Sequence, residues 1–307
     1  MNLKMINIYE FFSSDKPFVK YKISKKQVFN SKTYIINEQL GSGGESYVLS
    51  IQEDLEDSKE YAIKIAKKNN IKNKKGNIVK KNEKFAKEIT IAKEFSSDEY
   101  KNNFITYIFS DNLEFNLLDK KNNPTGKTTN HSFYVMDIAE QSFEDYLCNN
   151  LKWSSGDDEN NILPQIRQLA ETVKLLHSKN YVHRDIKPQN ILVHGEVLKL
   201  ADFGMVEEEN TSCTKTGPKY WPTPELLEMC DDNAHCSGKQ TDVFMLGCIF
   251  YFIYTKKYPV GNVNIDLILD KYKMKSIIKK MISYDIDERY KNCDEVYDEI
   301  RAIRFDT

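Results

Sequence analysis

His183-Arg184-Asp185-Ile186-Lys187-Pro188-Gln189-Asn190 is the stretch on which the reading of this chain turns. Asp202-Phe203-Gly204 follows it, with Asp202 twelve residues after Asn190. Two carboxylates, a lysine and an amide therefore fall within twenty residues. Oxygen ligands for a divalent cation, a cation to face phosphate charge and a carboxylate to receive a hydroxyl proton are what phosphoryl transfer from a nucleotide requires. The apolar run at residues 198–201 reads as a strand leading into Asp202, which places the three-residue motif at a strand end.

Upstream, residues 33–40 alternate apolar and polar, as a half-buried strand does. Gly41-Ser42-Gly43-Gly44 breaks the alternation and residues 47–51 resume it, a strand–turn–strand pattern. Residues 60–66, 104–109 and 132–138 complete five expected strands, and Phe85, Ile89, Ala92 and Phe95 mark a helix over 83–95. The lysine- and asparagine-rich stretch 67–81 reads as a solvated insertion, and 119–130 as a polar turn. Beyond residue 140 the pattern is mostly helical, at 142–149, 162–178, 242–255, 267–282 and 294–303, with a loop at 154–158. A strand-rich part followed by a helix-rich part predicts an α+β, two-lobed architecture with a cleft between the lobes. Its expected parts are an extension over 1–30, a first lobe over 31–139 and a second over 140–307.

These motifs resemble a eukaryotic-type (Hanks-type) Ser/Thr protein kinase domain. The matching residues are Gly41 to Val48, Tyr61-Ala62-Ile63-Lys64, His183 to Asn190, Asp202-Phe203-Gly204, Thr223-Pro224-Glu225 and Asp242 to Gly247. The resemblance implies that Asp185 accepts or orients the substrate hydroxyl proton and that Lys187 neutralises the transferring phosphoryl group. It implies that Asn190 and Asp202 ligate Mg2+, with Mn2+ as a substitute. Gly41, Ser42, Gly43, Gly44 and Val48 would cover the ATP phosphates. Ala62, the Met136 gatekeeper and the backbone of Asp137 and Ala139 would hold adenine. Lys64 would hold the α- and β-phosphates and pair with Glu88; Glu83 and Glu94 are the neighbouring alternatives. Arg184, Asp242 and a Glu225–Arg289 pair would support the loop from behind. The lysine two residues after Asp185 resembles serine/threonine kinases more than tyrosine kinases, and that resemblance implies serine and threonine acceptors.

Two positions depart from the family pattern: Ser46 replaces the third glycine of the phosphate loop, and Pro218 stands where a threonine is usual. Thr211, Ser212, Thr214 and Thr216 lie between Asp202 and Glu225, and Thr214 or Thr216 is the expected autophosphorylation site, its phosphate pairing with Arg184. The run Glu207-Glu208-Glu209 reads first as solvated charge; the alternative is that one acid pairs with a base and partly replaces phosphate.

Composition sets wide bounds. The chain has 307 residues, 40% hydrophobic and 29% charged, with a formal net charge of −2, which gives no sign of a nucleic-acid or anionic-membrane partner. The longest apolar stretch, 243–254, is too short to span a bilayer, and residues 1–30 lack a signal-peptide pattern. The six cysteines include no C-x-x-C pair, and Cys230 and Cys236 with His235 between them match zinc spacing poorly. A soluble cytoplasmic protein with free thiols is expected, taking a protein substrate and ATP and forming a transient homodimer for autophosphorylation. The competing readings are a nucleotide-binding, pseudokinase-like scaffold and a kinase for small molecules.

Overall fold

A computed structural model describes residues 8–12, 20–24, 26–67, 71–72, 78–79, 81–119, 121, 123–149, 159–209, 223–225, 238–259 and 263–303. Thr211, Ser212, Thr214, Thr216, Pro218, the 154–158 loop and the Cys230–His235–Cys236 group lie outside them. The chain divides into two compact units, Met1–Asp98 with Thr106–Ile138, and Glu99–Ile105 with Ala139–Thr307.

The first unit is built on an antiparallel sheet. In chain order its strands are β1 (Ile8–Phe12), β2 (Lys20–Ser24), β3 (Lys26–Phe29), β4 (Lys32–Ser42), β5 (Ser46–Glu53) and β6 (Glu60–Ala66). The short pair β7 (Ile71–Lys72) and β8 (Ile78–Val79) stands apart, and helix α1 (Lys81–Glu94) precedes β9 (Tyr107–Leu118) and β10 (Pro124–Asp137). The spatial order is β1-β2-β9-β10-β6-β5-β4-β3. Successive side chains on a strand point to opposite faces. On one face Tyr47, Leu49, Ile51, Ile63, Ile65, Phe133 and Val135 form a buried apolar cluster. The residues between them therefore face the other way, and the site is built from those.

Among the described residues this sheet has eight strands where five were expected. Three of them, β1 to β3, come from the stretch read as an extension. They are four or five residues long, too short for a clear period, and of β3's apolar residues Phe29 is buried against Phe133 (ring centroids 4.7 Å) while Val28 is exposed. The expected turn at 119–130 is partly strand, since β10 begins at Pro124 and pairs with β9. Residues 124–128 of that ribbon are exposed, so no alternation marks them. Phe104 opens no strand; it makes a parallel bridge to Leu200.

The second unit is mainly helical: α2 (Phe143–Asn149), α3 (Glu159–Ser178), α4 (Lys239–Thr255), α5 (Met274–Met281) and α6 (Cys293–Ala302). Short ladders hold the motif loops. They are β11 (Gln141–Ser142) with β13 (Ile191–His194) and β14 (Val197–Leu200), and β12 (Tyr181–Val182) with β15 (Glu207–Glu208). Every residue from Thr241 to Ile253 of α4 is buried, as a helix apolar on nearly all sides demands.

Gly247 lets α4 approach α5. A Cβ there would meet the Met281 Cβ at 2.7 Å and the Ile282 Cγ2 at 2.8 Å, atoms too close to their backbone to swing aside. Overpacking of this kind costs about 1–3 kcal/mol, against roughly 1 kcal/mol of helix propensity returned by alanine. Gly247→Ala is expected to lower the urea midpoint with no change in m-value; an unchanged or higher midpoint would contradict the close packing.

Candidate active site

Lys64 lies mid-strand in β6, buried, opposite Val48 of β5 and Tyr134 of β10. Ala62 lies opposite Ser50 and Met136. Directly opposed residues share a face. Val48, Ala62, Lys64 and Met136 thus line the face away from the apolar cluster. The partner of Lys64 is Glu88 of α1, Nζ to Oε1 at 2.5 Å, rather than Glu83 or Glu94. The same oxygen accepts the Tyr134 hydroxyl at 2.9 Å. Nothing in the sequence marked Tyr134 beyond an apolar strand.

The loop from Gly41 to Ser46 is a tight reversal in which the Gly43 N–H donates to the Ser46 carbonyl at 3.1 Å. Ser46 is a buried strand residue, which is how a serine replaces the third glycine. A Cβ added at Gly41, Gly43 or Gly44 would meet nothing within 4 Å, and none of the three is left-handed. Packing within the protein does not call for glycine there. Close approach of phosphates to the backbone would. Lys67, read as part of a solvated insertion, ties this loop down. Its ammonium donates to Ser42 Oγ at 2.7 Å and to the Gly43 carbonyl, and lies 4.4 Å from the centre of the Tyr47 ring.

At the end of β10 the Asp137 N–H donates to the Thr106 carbonyl at 3.0 Å, and its carboxylate takes Lys59 at 2.8 Å. That pairing, opposed by partial burial, raises the Lys59 pKa.

In the second unit the residues of the 183–190 stretch gather around Asp185. Its Oδ2 accepts Lys187 Nζ at 2.7 Å and Asn190 Nδ2 at 2.8 Å. Asn190 Nδ2 also donates to the Asp185 carbonyl at 2.8 Å, which leaves Oδ1 as the ligating atom of the amide. The Ala201 N–H donates to the Asn190 carbonyl at 2.9 Å, so Asp202 follows directly beside Asn190. One carboxylate and one amide carbonyl are hard oxygen donors. Two such donors, with the remaining positions left for phosphates and water, suit Mg2+ that arrives with a nucleotide. Phe203 is buried between Phe104 and His183, with ring centroids 5.9 and 6.2 Å away.

Arg184 and Asp202 both hold left-handed backbone at φ 64°, a strain that functional loops store at about 1–3 kcal/mol each. Asp242 of α4, fully buried, supplies the counterweight at Arg184. Its Oδ1 accepts the Arg184 N–H at 2.8 Å and its Oδ2 the His183 N–H at 2.7 Å. His177 Nε2 lies 3.0 Å from Oδ2, and His177 Nδ1 accepts the Cys293 N–H at 3.2 Å, which assigns the ring proton to Nε2. Burial pushes the Asp242 carboxyl upward, but the His177 and His183 contacts prevail and hold it below the usual range. Burial lowers the pKa of His183. His177 carried no sequence signal.

Glu225 takes Arg289 in a two-pronged pair, Nη1 at 3.1 Å and Nη2 at 2.9 Å, with Thr241 Oγ1 at 3.0 Å. The acidic run is not simply solvated. The β12–β15 ladder sets Glu207 opposite Val182, and its carboxylate lies 3.5 Å from Arg184 Nη2. Glu209 takes Lys239 at 2.8 Å, and Glu208 is exposed. Arg184 Nε donates to the Met205 carbonyl at 2.9 Å. Two of the run's three acids thus meet a basic residue, where the first reading had them solvated.

The family described as the protein kinase domain matches residues 34–303. The chain belongs to the protein kinase family. Several curated proteins align with this kinase domain. It is 32% identical over 156 residues to a Dictyostelium discoideum protein named probable serine/threonine-protein kinase fhkD, covering 40% of this chain and 21% of that protein. It is 30% identical over 151 residues to the RAF proto-oncogene serine/threonine-protein kinase of Xenopus laevis, covering 45% and 23%. It is 34% identical over 100 residues to mitogen-activated protein kinase kinase kinase 1 of Arabidopsis thaliana, covering 32% and 16%. The matched stretches span about a fifth of the length of these relatives. No helix among the described residues is long and apolar enough to cross a membrane.

Proposed function

We propose that the chain is an ATP-dependent serine/threonine protein kinase. The observation that carries this reading is the cluster in which Asp185 Oδ2 meets both Lys187 and Asn190. Asp185 receives or orients the proton of the acceptor hydroxyl. Lys187, adjoining it, faces the charge of the transferring phosphoryl group. Asn190 and Asp202 hold Mg2+, which when bound neutralises phosphate charge. Lys64, oriented by Glu88, holds the α- and β-phosphates, and the glycine loop offers backbone N–H groups above them. Met136, Ala62 and the backbone of Asp137 and Ala139 hold adenine. The work is positioning and charge stabilisation. The buried thiols Cys248 and Cys293 and the exposed Cys148 are free, which suits a reducing, cytoplasmic setting. Incubation with labelled ATP and Mg2+, beside a Lys64→Met control, tests the reading. Label should enter the protein itself or a generic protein acceptor only with Lys64 intact. No incorporation by the wild type sinks it.

Autophosphorylation at Thr214 or Thr216 belongs to the same proposal. A phosphate reaching Arg184 must share it with Glu207. Glu207→Gln removes that competing charge and leaves Arg184 to depend on phosphate. Phosphatase treatment is therefore expected to lower activity several-fold more in Glu207→Gln than in the wild type. Equal sensitivity of the two proteins would mean that Glu207 does not substitute for phosphate.

A further inference from the structure

Glu88 is held by two strands rather than one. Lys64 and Tyr134 stand directly opposite each other across the β6–β10 ladder, and both deliver a donor to the same Glu88 oxygen, at 2.5 and 2.9 Å. Tyr134, Glu88 and Lys64 are 2%, 4% and 5% exposed. The Tyr134 ring also packs 5.8 Å from the Phe85 ring, one turn earlier on α1. A phenylalanine would fill that space equally. The hydroxyl is what sets tyrosine apart, and a buried phenol needs a partner.

We propose that Tyr134 is a positioning residue for phosphoryl transfer: its hydroxyl anchors Glu88, and with it α1, to β10 while Lys64 turns to the nucleotide. This rests on the kinase reading above. When the Lys64 ammonium engages phosphate oxygens, its hold on Glu88 is shared. A donor rooted in the neighbouring strand keeps the carboxylate in register during that exchange. A phenol suits the task because it is neutral. A second lysine or arginine would compete with Lys64 for Glu88 and draw the phosphates towards itself. A hydrogen bond that spans from the sheet to α1 also sets the helix position before nucleotide arrives.

The test compares wild type, Tyr134→Phe, Glu88→Gln and the double variant. Steady-state kinetics should show kcat lowered on the order of tenfold in Tyr134→Phe, the scale of one hydrogen bond to a charged group. KM for ATP should move by less than about twofold, and the change should add little once Glu88 is already glutamine. Amide hydrogen exchange in the nucleotide-free protein should quicken over Lys81–Glu94 in Tyr134→Phe. Unchanged exchange over that helix overturns the proposal, as does a loss of kcat that persists undiminished in the Glu88→Gln background. If the wild type itself transfers no phosphate, the kinase reading fails, and exchange over α1 alone decides whether Tyr134 anchors it.

Discussion

Replacing Asp185 by asparagine is expected to lower kcat by about 10²–10⁴-fold, the range that a positioned proton acceptor supplies, while Mg2+–ATP affinity stays within a few-fold of wild type. The substitution keeps the size of the side chain. It also keeps the backbone bond from Asn190 Nδ2 to the Asp185 carbonyl, so the loop retains its fold. What it removes is chemical. An amide is a very poor acceptor for a hydroxyl proton, and it no longer carries the charge that faces Lys187 Nζ at 2.7 Å. Lys64 and Glu88 form their own pair in the other unit, and the substitution leaves that pair intact. Turnover measured beside nucleotide binding by calorimetry separates the two effects. Near-wild-type turnover would remove Asp185 from the reaction.

Asp242→Asn should produce the largest loss of stability. The Asp242 carboxylate receives the N–H groups of His183 and Arg184 and the Nε2 of His177, all buried. An asparagine offers one oxygen and turns an NH2 towards a donor whichever way it is placed. Each buried donor left without an acceptor costs about 1–3 kcal/mol. With such donors left unpaired beneath the loop, a total of about 3–5 kcal/mol is expected, comparable to breaking a buried ion pair. Against a typical domain stability of roughly 5–15 kcal/mol, that is a large share. The pH dependence follows from the depressed Asp242 carboxyl. Between the folded and unfolded pKa values the native state binds fewer protons than the unfolded chain, so stability rises with pH there. The Asp242 contribution is therefore full above the ordinary carboxylate range and lost as pH falls below about 3.9 towards the folded value. Denaturant midpoints taken from pH 6 down to pH 3 should fall more steeply in the wild type than in Asp242→Asn. Parallel slopes would show that Asp242 is not the titrating group.

Much of the site was legible because its groups are close in sequence. Asp185, Lys187 and Asn190 lie within six residues, and a short loop brings such neighbours together whatever surrounds it. The same holds for the glycine loop and for Ala62 with Lys64, which strand alternation places on one face. The 242–255 apolar run could only be a buried helix, and α4 is one.

What the sequence determined by itself, then, is local: which polar and charged side chains lie close together, and which face of a strand or helix they occupy. Only tertiary structure decided which acid of α1 meets Lys64, since Glu83, Glu88 and Glu94 differ by where packing turns the helix. Tyr134, His177 and Glu207 acquired partners 46, 65 and 23 residues away, by the numbering of the pairs they form. The helix expected from 267 begins instead at Met274, where the Lys273 and Met274 N–H groups meet the carboxylate of Glu159. β1 to β3 join the sheet although their own sequences announce little. In each case the deciding interaction is a donor meeting an acceptor, or a ring meeting a ring, across a long separation in the chain. Periodicity records which side of an element is apolar; it carries no information about what the rest of the chain brings to that side.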